Sequence, residues 1–464
     1  MKNRSCILFA LTTFAFNLIL GRNVVAVASF TSTSTNNKQP ASSVHHNIIT
    51  SSSKEEPNVV ICGGGPGGLL ASVLLNNIGI KSTVVEKSIE TDSWGTKSYT
   101  IILNDKGKKA LKQARCLETA MEIGSERSCT YIFNGTTGEI KTIPKKSPDL
   151  AFSRPLLVQC IENIASELPN VTLKKGVGVS SVTNDKELGL LVHLEDGTKI
   201  SATHVIGADG KWSNVRQSFP SFLNTMVTCP SSAVHMTMNY VPKIWKPNGM
   251  YIIKPSNDEC KFYIIASPLP DNCGVSISMI YYDETLEKYP WLVPPIDTKP
   301  TKINGEDWID DSSSPVVEGI KNIDSTSTKL ADHLKQLFEK ELPALYAVLD
   351  GSVFDSAVVK RRVTWLQMEA ELGKEVTYST EDGSISLIGD AAHAMTPSMG
   401  EGGNTALESA VKLVDAVVST MKEKDETSCT TSTMSLAFMR YGSSRPKDCI
   451  SLQKLSASRN VLKK

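Results

Sequence analysis

At 464 residues the chain is too long for one small domain and long enough to bury a large core. Lys plus Arg equals Asp plus Glu at 49 each, so no net field draws in nucleic acid or an anionic membrane surface. The ten cysteines are scattered without a C-x-x-C pair, which suits neither a zinc site nor a disulfide framework; no metal site is expected.

Residues 1–53 read as a targeting leader. Lys2 and Arg4 precede an apolar run, Cys6 to Leu20, broken only by Thr12, Thr13 and Asn17. The run is shorter than the about 20 residues a spanning helix needs, and it leads to Ala26-Val27-Ala28, small residues that a signal peptidase accepts. Ser29 to Ser53 is rich in Ser, Thr and Asn, and the first acidic residue of the chain is Glu55. This order fits a signal peptide followed by a transit-like segment. The junction at Phe30 resembles the bipartite plastid leaders of algae with secondary plastids. The expected destination is the plastid by way of the secretory pathway, with no stable transmembrane segment in the mature chain. The alternatives are another endomembrane compartment, or anchoring by an uncleaved apolar run.

Asn58 to Cys62 is a short apolar run that ends in glycines; Leu69 to Ile78 follows at helical spacing and Ile80 to Val85 is a second apolar run. Strand, tight turn, helix and strand make a βαβ unit. Within it, Gly63, Gly65 and Gly68 fit G-x-G-x-x-G. The first glycine permits the turn, the second lets the backbone approach a pyrophosphate, and the third lets helix pack on strand. Glu86 ends the second strand, where a carboxylate can accept the hydroxyls of an adenosine ribose.

Further along, Thr100 to Leu103 reads as a strand, Lys106 to Gln113 as a helix, and Thr130 to Ile143 as a hairpin around Asn134-Gly135. Leu156 to Leu168 is an amphipathic helix. Between Val234 and Tyr282 the pattern alternates with period two, as in Val234, Met236 and Met238 or Val275, Ile277 and Met279, which implies an antiparallel sheet with two different faces. This stretch is expected to be a second domain inserted into the first. Leu330 to Leu342 returns to helix, Ser384 to Ile388 to strand, Thr405 to Met421 to helix, and Met434 to Lys464 to a helix too polar to span a membrane.

A glycine fingerprint alone does not distinguish FAD from NAD. Two distant segments do so by resemblance. His204 to Arg216, HVIGADGKWSNVR, resembles the DG motif of the FAD-dependent aromatic hydroxylases, the class A flavoprotein monooxygenases. Leu387 to Glu408, LIGDAAHAMTPSMGEGGNTALE, resembles the GD motif of the same family. The three motifs stand in the family's order. The resemblance implies an α/β fold: a Rossmann-like FAD-binding domain (54–225 and 376–464, ending in a helix) with an inserted antiparallel-sheet substrate domain (226–375).

Within that fold, Asp390 is placed to hydrogen-bond the ribityl hydroxyls. Gly400, Gly402 and Gly403 let bare backbone lie against the isoalloxazine, and the helix beginning near Asn404 points its positive end at the ring. Pro397 is a candidate pocket wall. The resemblance adds Gly67, Arg127, Arg154, Asp209, Gly210 and Gly389 to the cofactor set. Arg216 reads either as a phosphate partner or as an exposed surface arginine, and His393 as a structural hydrogen bond. No side chain is required as a strong acid or base.

Lys97 to Leu111 resembles the substrate segment of kynurenine 3-monooxygenases, with Lys97 where that family has an arginine; Lys97 is the candidate substrate contact. The HAM-x-P-x-x-G-x-G-G run also resembles zeaxanthin epoxidases. The implied activity is hydroxylation or epoxidation of an aromatic or unsaturated small molecule by FAD, NAD(P)H and O₂. A flavin-dependent reductase or dehydrogenase of isoprenoid type, and a non-enzymatic FAD-fold carrier, stay open beside it.

Overall fold

Four consecutive apolar residues, Val59–Cys62, form strand β1, which is buried on both faces as the centre of a parallel sheet requires. This computed structural model describes residues 56–89, 100–185, 189–257, 261–269, 274–295, 302–303, 306–307 and 327–459. Helix α1 (Pro66–Asn77) and strand β2 (Ser82–Glu86) complete the βαβ unit. Pro66 needs no N–H partner at the first helical position, and α1 buries Leu69, Leu70, Val73, Leu74 and Leu75.

The chain then runs through β3 (Thr100–Leu103), α2 (Asp105–Gln113), α3 (Leu117–Ile123) and a long hairpin of β4 (Ser125–Asn134) and β5 (Ile140–Ser153). Asn104 caps α2 by accepting the Lys106 N–H at 3.0 Å. Asn134 stiffens the hairpin turn by accepting from the N–H groups of Thr136 and Thr137. Helix α4 (Arg154–Ser166) and strand β6 (Val171–Lys175) return to the parallel sheet. A small antiparallel sheet of β7 (Val179–Asp185), β8 (Gly189–Leu194) and β9 (Lys199–Ala202) precedes β10 (His204–Gly207) and α5 (Asn214–Gln217).

Strand β11 (Asn224–Thr228) leads to β12 (Ser231–Met238), β13 (Gly249–Lys254), β14 (Phe262–Pro268), β15 (Val275–Tyr282) and α6 (Asp283–Lys288). A short pair, β16 (Lys302–Ile303) and β17 (Glu306–Asp307), precedes α7 (Ser327–Glu341), α8 (Pro343–Tyr346) and β18 (Val358–Val359). Strand β19 (Thr364–Met368) pairs back on β11. The chain closes with β20 (Ile385–Leu387), α9 (Asp390–His393), α10 (Gly402–Glu423) and α11 (Thr431–Ser458). No helix among the described residues is long and apolar enough to cross a membrane.

The parallel sheet has the order β20-β10-β1-β2-β6. The larger sheet runs β18-β12-β15-β14-β13-β4-β5-β3, which corrects the expected boundary of the second domain at residue 226. Three of its strands come from residues 100–153, and β4 joins β13 in parallel register, Tyr131 beside Tyr251. The cause is packing. Tyr131 and Phe133 point into the same core as Tyr251, Ile253, Leu334 and Phe338, and Tyr131, Tyr251 and Trp245 stack at 4.8 and 4.7 Å between centroids. Residues 53–464 accordingly form one compact unit.

The period-two stretch divides as its pattern demands. Val234, Met236, Val275, Ile277 and Met279 face α7, while His235, Ser276, Ser278 and Ile280 face the other way and are half-buried. The leader expected at residues 1–53 lies outside the described residues.

His204 fastens the last helix to the parallel sheet. It is fully buried; Nδ1 meets Thr203 Oγ1 and Nε2 meets Ser435 Oγ, each at 3.0 Å, and its edge meets Phe438. Burial pulls its pKa down to about 4, against a smaller opposing pull from Asp382. The unfolded chain therefore takes up a proton near pH 6.5 that the fold refuses until about pH 4. Its contribution is present above pH 6.5 and is lost as pH falls through that window, by roughly 3 kcal/mol at the acid end. Urea unfolding at pH 7 and pH 4.5 is expected to show a smaller loss of stability in His204→Gln than in the native chain; equal losses would show that another group carries the acid sensitivity.

Candidate active site

The glycine turn between β1 and α1 is shaped by three different constraints. Gly63 has φ +110°, and a Cβ there would lie 2.4 Å from the carbonyl oxygen of Ala208, so the end of β10 passes directly over it. A Cβ on Gly68 would meet the Gly63 carbonyl oxygen at 2.1 Å, the close helix–strand approach expected of that position. Gly67 is buried where α1 packs on α10, with Ala406 its nearest neighbour across the helix pair. Gly65 differs from all of them. Its φ is an ordinary −72°, and nothing comes nearer to a built Cβ than Arg154 Nη2 at 4.0 Å. The protein itself leaves that position open.

Glu86 is held beside the turn. Gly64 N–H donates to its Oε2 at 2.7 Å and Ser88 N–H to its Oε1 at 2.9 Å, which fixes the carboxylate while leaving acceptor capacity on both oxygens. Across the cleft, Gly389 turns the chain with φ +58° so that Asp390 opens α9. Asp390 is exposed as a residue, yet the protein crowded around its carboxyl pushes it above the ordinary range; the cations of Lys211 and Arg154 oppose that shift. Arg154 thus stands near both Gly65 and Asp390. Lys211 donates to Thr364 Oγ1 at 2.6 Å and so ties this corner to β19. Lys211 escaped the sequence reading, although it lies inside the DG segment directly after Gly210.

Asp209 serves its own loop: its carboxylate accepts Ser213 Oγ at 2.5 Å and Val215 N–H at 3.1 Å, while Gly210 adopts φ +85° in open space. Arg216 answers to neither alternative read from the sequence. It is 2% exposed and donates to the carbonyls of Ala391 and Lys211, each at 2.7 Å, bridging the DG and GD segments from behind. Burial pulls its guanidinium pKa down to about 10. Arg127 is placed in the large sheet, at the β4 bulge, where it donates to the carbonyls of Glu126, Pro247 and Pro268. Lys97 lies outside the described residues.

Beyond α9, Pro397 begins a single turn that Gly400 ends in the left-handed region, φ +65°. Ser456 of α11 backs this turn, bonding Thr396 Oγ1 at 2.5 Å and Ser398 Oγ through its carbonyl at 2.7 Å. Gly402 and Gly403 open α10, with Ile101 of β3 close to Gly403. Asn404 is buried and acts as a pin. Its amide donates to the carbonyls of Ile102 and Gly400, and its oxygen accepts Asn104 N–H, so these bonds all go to neighbouring backbone, that of β3 included. Gly107 makes room for it, since a Cβ there would meet Asn404 Oδ1 at 2.4 Å. His393 is fully buried with Nε2 on Ser409 Oγ at 2.8 Å, and burial pulls its pKa to about 3, in keeping with a structural bond.

An open glycine, an oriented carboxylate and a second carboxylate between two cations therefore converge at the carboxyl ends of parallel strands, where open α/β sheets bind nucleotides. These residues fit FAD: Gly65 with Arg154 for the pyrophosphate, Glu86 for the adenosine ribose and Asp390 for the ribityl chain.

Comparison with known proteins agrees. The family model described as an FAD binding domain matches residues 56–308 and 326–432, and the chain belongs to that family. It is 24% identical over 287 residues to the FAD-dependent monooxygenase thnD of Trichoderma harzianum, a match covering 60% of this chain and 61% of that protein. Monooxygenase 1 of Arabidopsis thaliana is 26% identical over 350 residues, 74% of each chain. Among solved structures, the fold is shared with Klebsiella pneumoniae HpxO complexed with FAD and uric acid (TM-score 0.62, 16% identity, 87% of this chain and 88% of that one). It is also shared with the p-nitrophenol 4-monooxygenase PnpA of Pseudomonas putida (TM-score 0.61, 18% identity, 88% of each).

Gly65 gives the cleanest test of the cradle. Because no protein atom crowds that position, Gly65→Val is expected to fold with an unchanged thermal midpoint in the flavin-free state and to lose the flavin absorbance of the purified protein. Gly68→Val is expected to unfold outright through its clash with Gly63. A Gly65→Val protein with stoichiometric FAD would overturn the assignment of this turn.

Proposed function

We propose that the chain is an FAD-dependent monooxygenase that uses NAD(P)H and O₂ to hydroxylate or epoxidise an aromatic or unsaturated small molecule. The observation that carries this reading is the union of the cofactor residues and the large sheet in one unit. The cofactor wall, from Gly65 to Asp390, shares one compact unit with a sheet whose second face carries half-buried, mixed polar and apolar side chains. Bound FAD, reduced by NAD(P)H, supplies the electrons and the activation of O₂. The chain's own residues bind, orient and exclude water. Arg154 and Lys211 balance the charge beside Asp390, Asn404 and Glu401 hold the α10 entrance against Asn104, and Ser456 steadies the Pro397 turn. The positive end of α10 favours negative charge placed before it. The monooxygenase names of the Trichoderma and Arabidopsis relatives support the same reading.

Two outcomes of one experiment oppose it. Oxidation of NADPH or NADH by the purified yellow protein is expected to require O₂ and to place an oxygen atom from labelled O₂ in the product. Turnover that proceeds equally without O₂ and saturates a double bond favours the isoprenoid-type reductase; no oxidation under any condition favours the carrier.

We also propose that residues 1–53 carry the chain to a plastid by way of the secretory pathway. The support is the order of basic start, short apolar run, small-residue junction and acid-poor Ser/Thr stretch. A fluorescent protein fused behind residues 1–53 is expected to enter the plastid of an alga with secondary plastids, and cytosolic fluorescence would count against both signals.

A further inference from the structure

Helices α10 and α11 meet the start of α2 around a charged groove. Thr405, Glu408 and Lys412 stand three and four residues apart, on one face of α10, and Arg445 and Asp448 answer them from α11. Lys106, in the first turn of α2, and Lys447 of α11 also line it. The groove holds about 420 Å³, which is the size of a small-molecule site rather than of a single ion. None of these residues belongs to the cofactor cradle built from Gly65, Glu86, Arg154 and Asp390.

The acids of the groove are already committed. Arg445 is 2% exposed and takes both of them, Glu408 at 2.7 Å and Asp448 at 3.3 Å. Its guanidinium also donates to Ser409 Oγ at 3.1 Å and to the Thr405 carbonyl at 3.3 Å, so the charge at the base of the groove is fixed in place. The lysines are held more loosely. Lys106 and Lys447 reach carboxylates outside the groove, Glu401 and Glu375, each at 3.4 Å. Lys412 is exposed and pairs with no carboxylate among the described residues. The lining as a whole carries four cations against two carboxylates.

Thr405 is the second sign of a guest. It is 1% exposed and lines this groove, yet its hydroxyl bonds nothing among the described residues. A buried hydroxyl left without a partner costs free energy, and an acceptor oxygen brought by a ligand removes that cost.

We propose that the groove between α10 and α11 is a second binding site, one that takes a phosphorylated small molecule. A phosphate monoester carries about two negative charges at neutral pH, which matches the excess on the lining, and it has three strong acceptor oxygens. Those oxygens suit the ammonium groups of Lys106, Lys412 and Lys447 together with the Thr405 hydroxyl. A carboxylate, with one charge and two oxygens, satisfies fewer of them. The phosphate belongs either to a free metabolite or to the 2′-phosphate of NADPH, and competition separates the two. Binding here does not depend on the monooxygenase reading.

The FAD-loaded protein is titrated by calorimetry with inorganic phosphate, and with ribose 5-phosphate beside ribose. The phosphate ester is expected to bind at least ten times more tightly than the sugar, and to weaken as salt is added. Lys412→Gln is expected to weaken the ester roughly tenfold or more, as loss of a charge-assisted hydrogen bond does. Thr405→Val removes a hydroxyl that bonds nothing in the protein. It is expected to weaken the ester severalfold while thermal midpoint and flavin content stay at native values. Lys422→Gln, at the far end of α10, is expected to bind as the native chain does. The proposal falls if ribose 5-phosphate binds no better than ribose, or if either Lys412→Gln or Thr405→Val keeps native affinity. Displacement of the ester by NADP⁺ at a tenfold lower concentration than NAD⁺ assigns the phosphate to the nucleotide; otherwise the occupant is a free phosphate ester.

Discussion

The buried guanidinium of Arg216 joins the DG and GD motifs, donating back to the Lys211 carbonyl and forward to that of Ala391. Those carbonyls belong to residues whose positions matter most. Lys211 stands in the field of Asp390, and Ala391 directly follows Asp390. The ladder between β10 and β20 sets the spacing of the two strand ends, and this planar, rigid donor group ties together the loops that follow them. Because the cation is bound by carbonyls and eased by the nearby Asp209, its removal would leave two buried acceptors unbonded, a loss felt along both motifs.

The same corner extends outward through Lys211 to Thr364, and through β19 to β11 and the large sheet. The cofactor wall and the sheet are consequently fastened at the level of individual hydrogen bonds. Overall neutrality conceals this arrangement. Arg154 and Lys211 both act on the Asp390 carboxylate, so a chain of zero net charge still sets charges of both signs against one another at one site.

Much of this architecture was legible in the residues. The run Asn58–Cys62, the glycines and the helical spacing after them define β1 and α1 because a central parallel strand and a doubly buried helix leave so few alternatives. The period-two stretch announced a two-faced sheet, and its faces divide as the alternation requires. What could not be read was which polar groups are already satisfied by backbone. Arg216 looked like a ligand arginine or a surface one and is a buried brace, and Asn404 sits at the head of α10 yet is bonded to Ile102, Gly400 and Asn104. A motif specifies residue types in order, whereas saturation depends on loops hundreds of residues away. The extent of the sheet was hidden for a related reason: nothing local in Tyr131 or Phe133 names β13 as the neighbour of β4.

That parallel pairing of residues 129–134 with 249–254 threads the two lobes through each other. The sheet cannot be completed until synthesis has passed residue 359, and the cleft cannot close until α10 has followed, so the glycine turn waits in an unfinished fold while most of the chain emerges. Interleaving also removes the option of changing specificity by exchanging a domain, since no cut in the sequence releases the sheet whole. New substrates have to be reached by altering single side chains on a fixed frame. The outward alternates of β12, β14 and β15 are well placed for that, because each can change without disturbing the core on the opposite face.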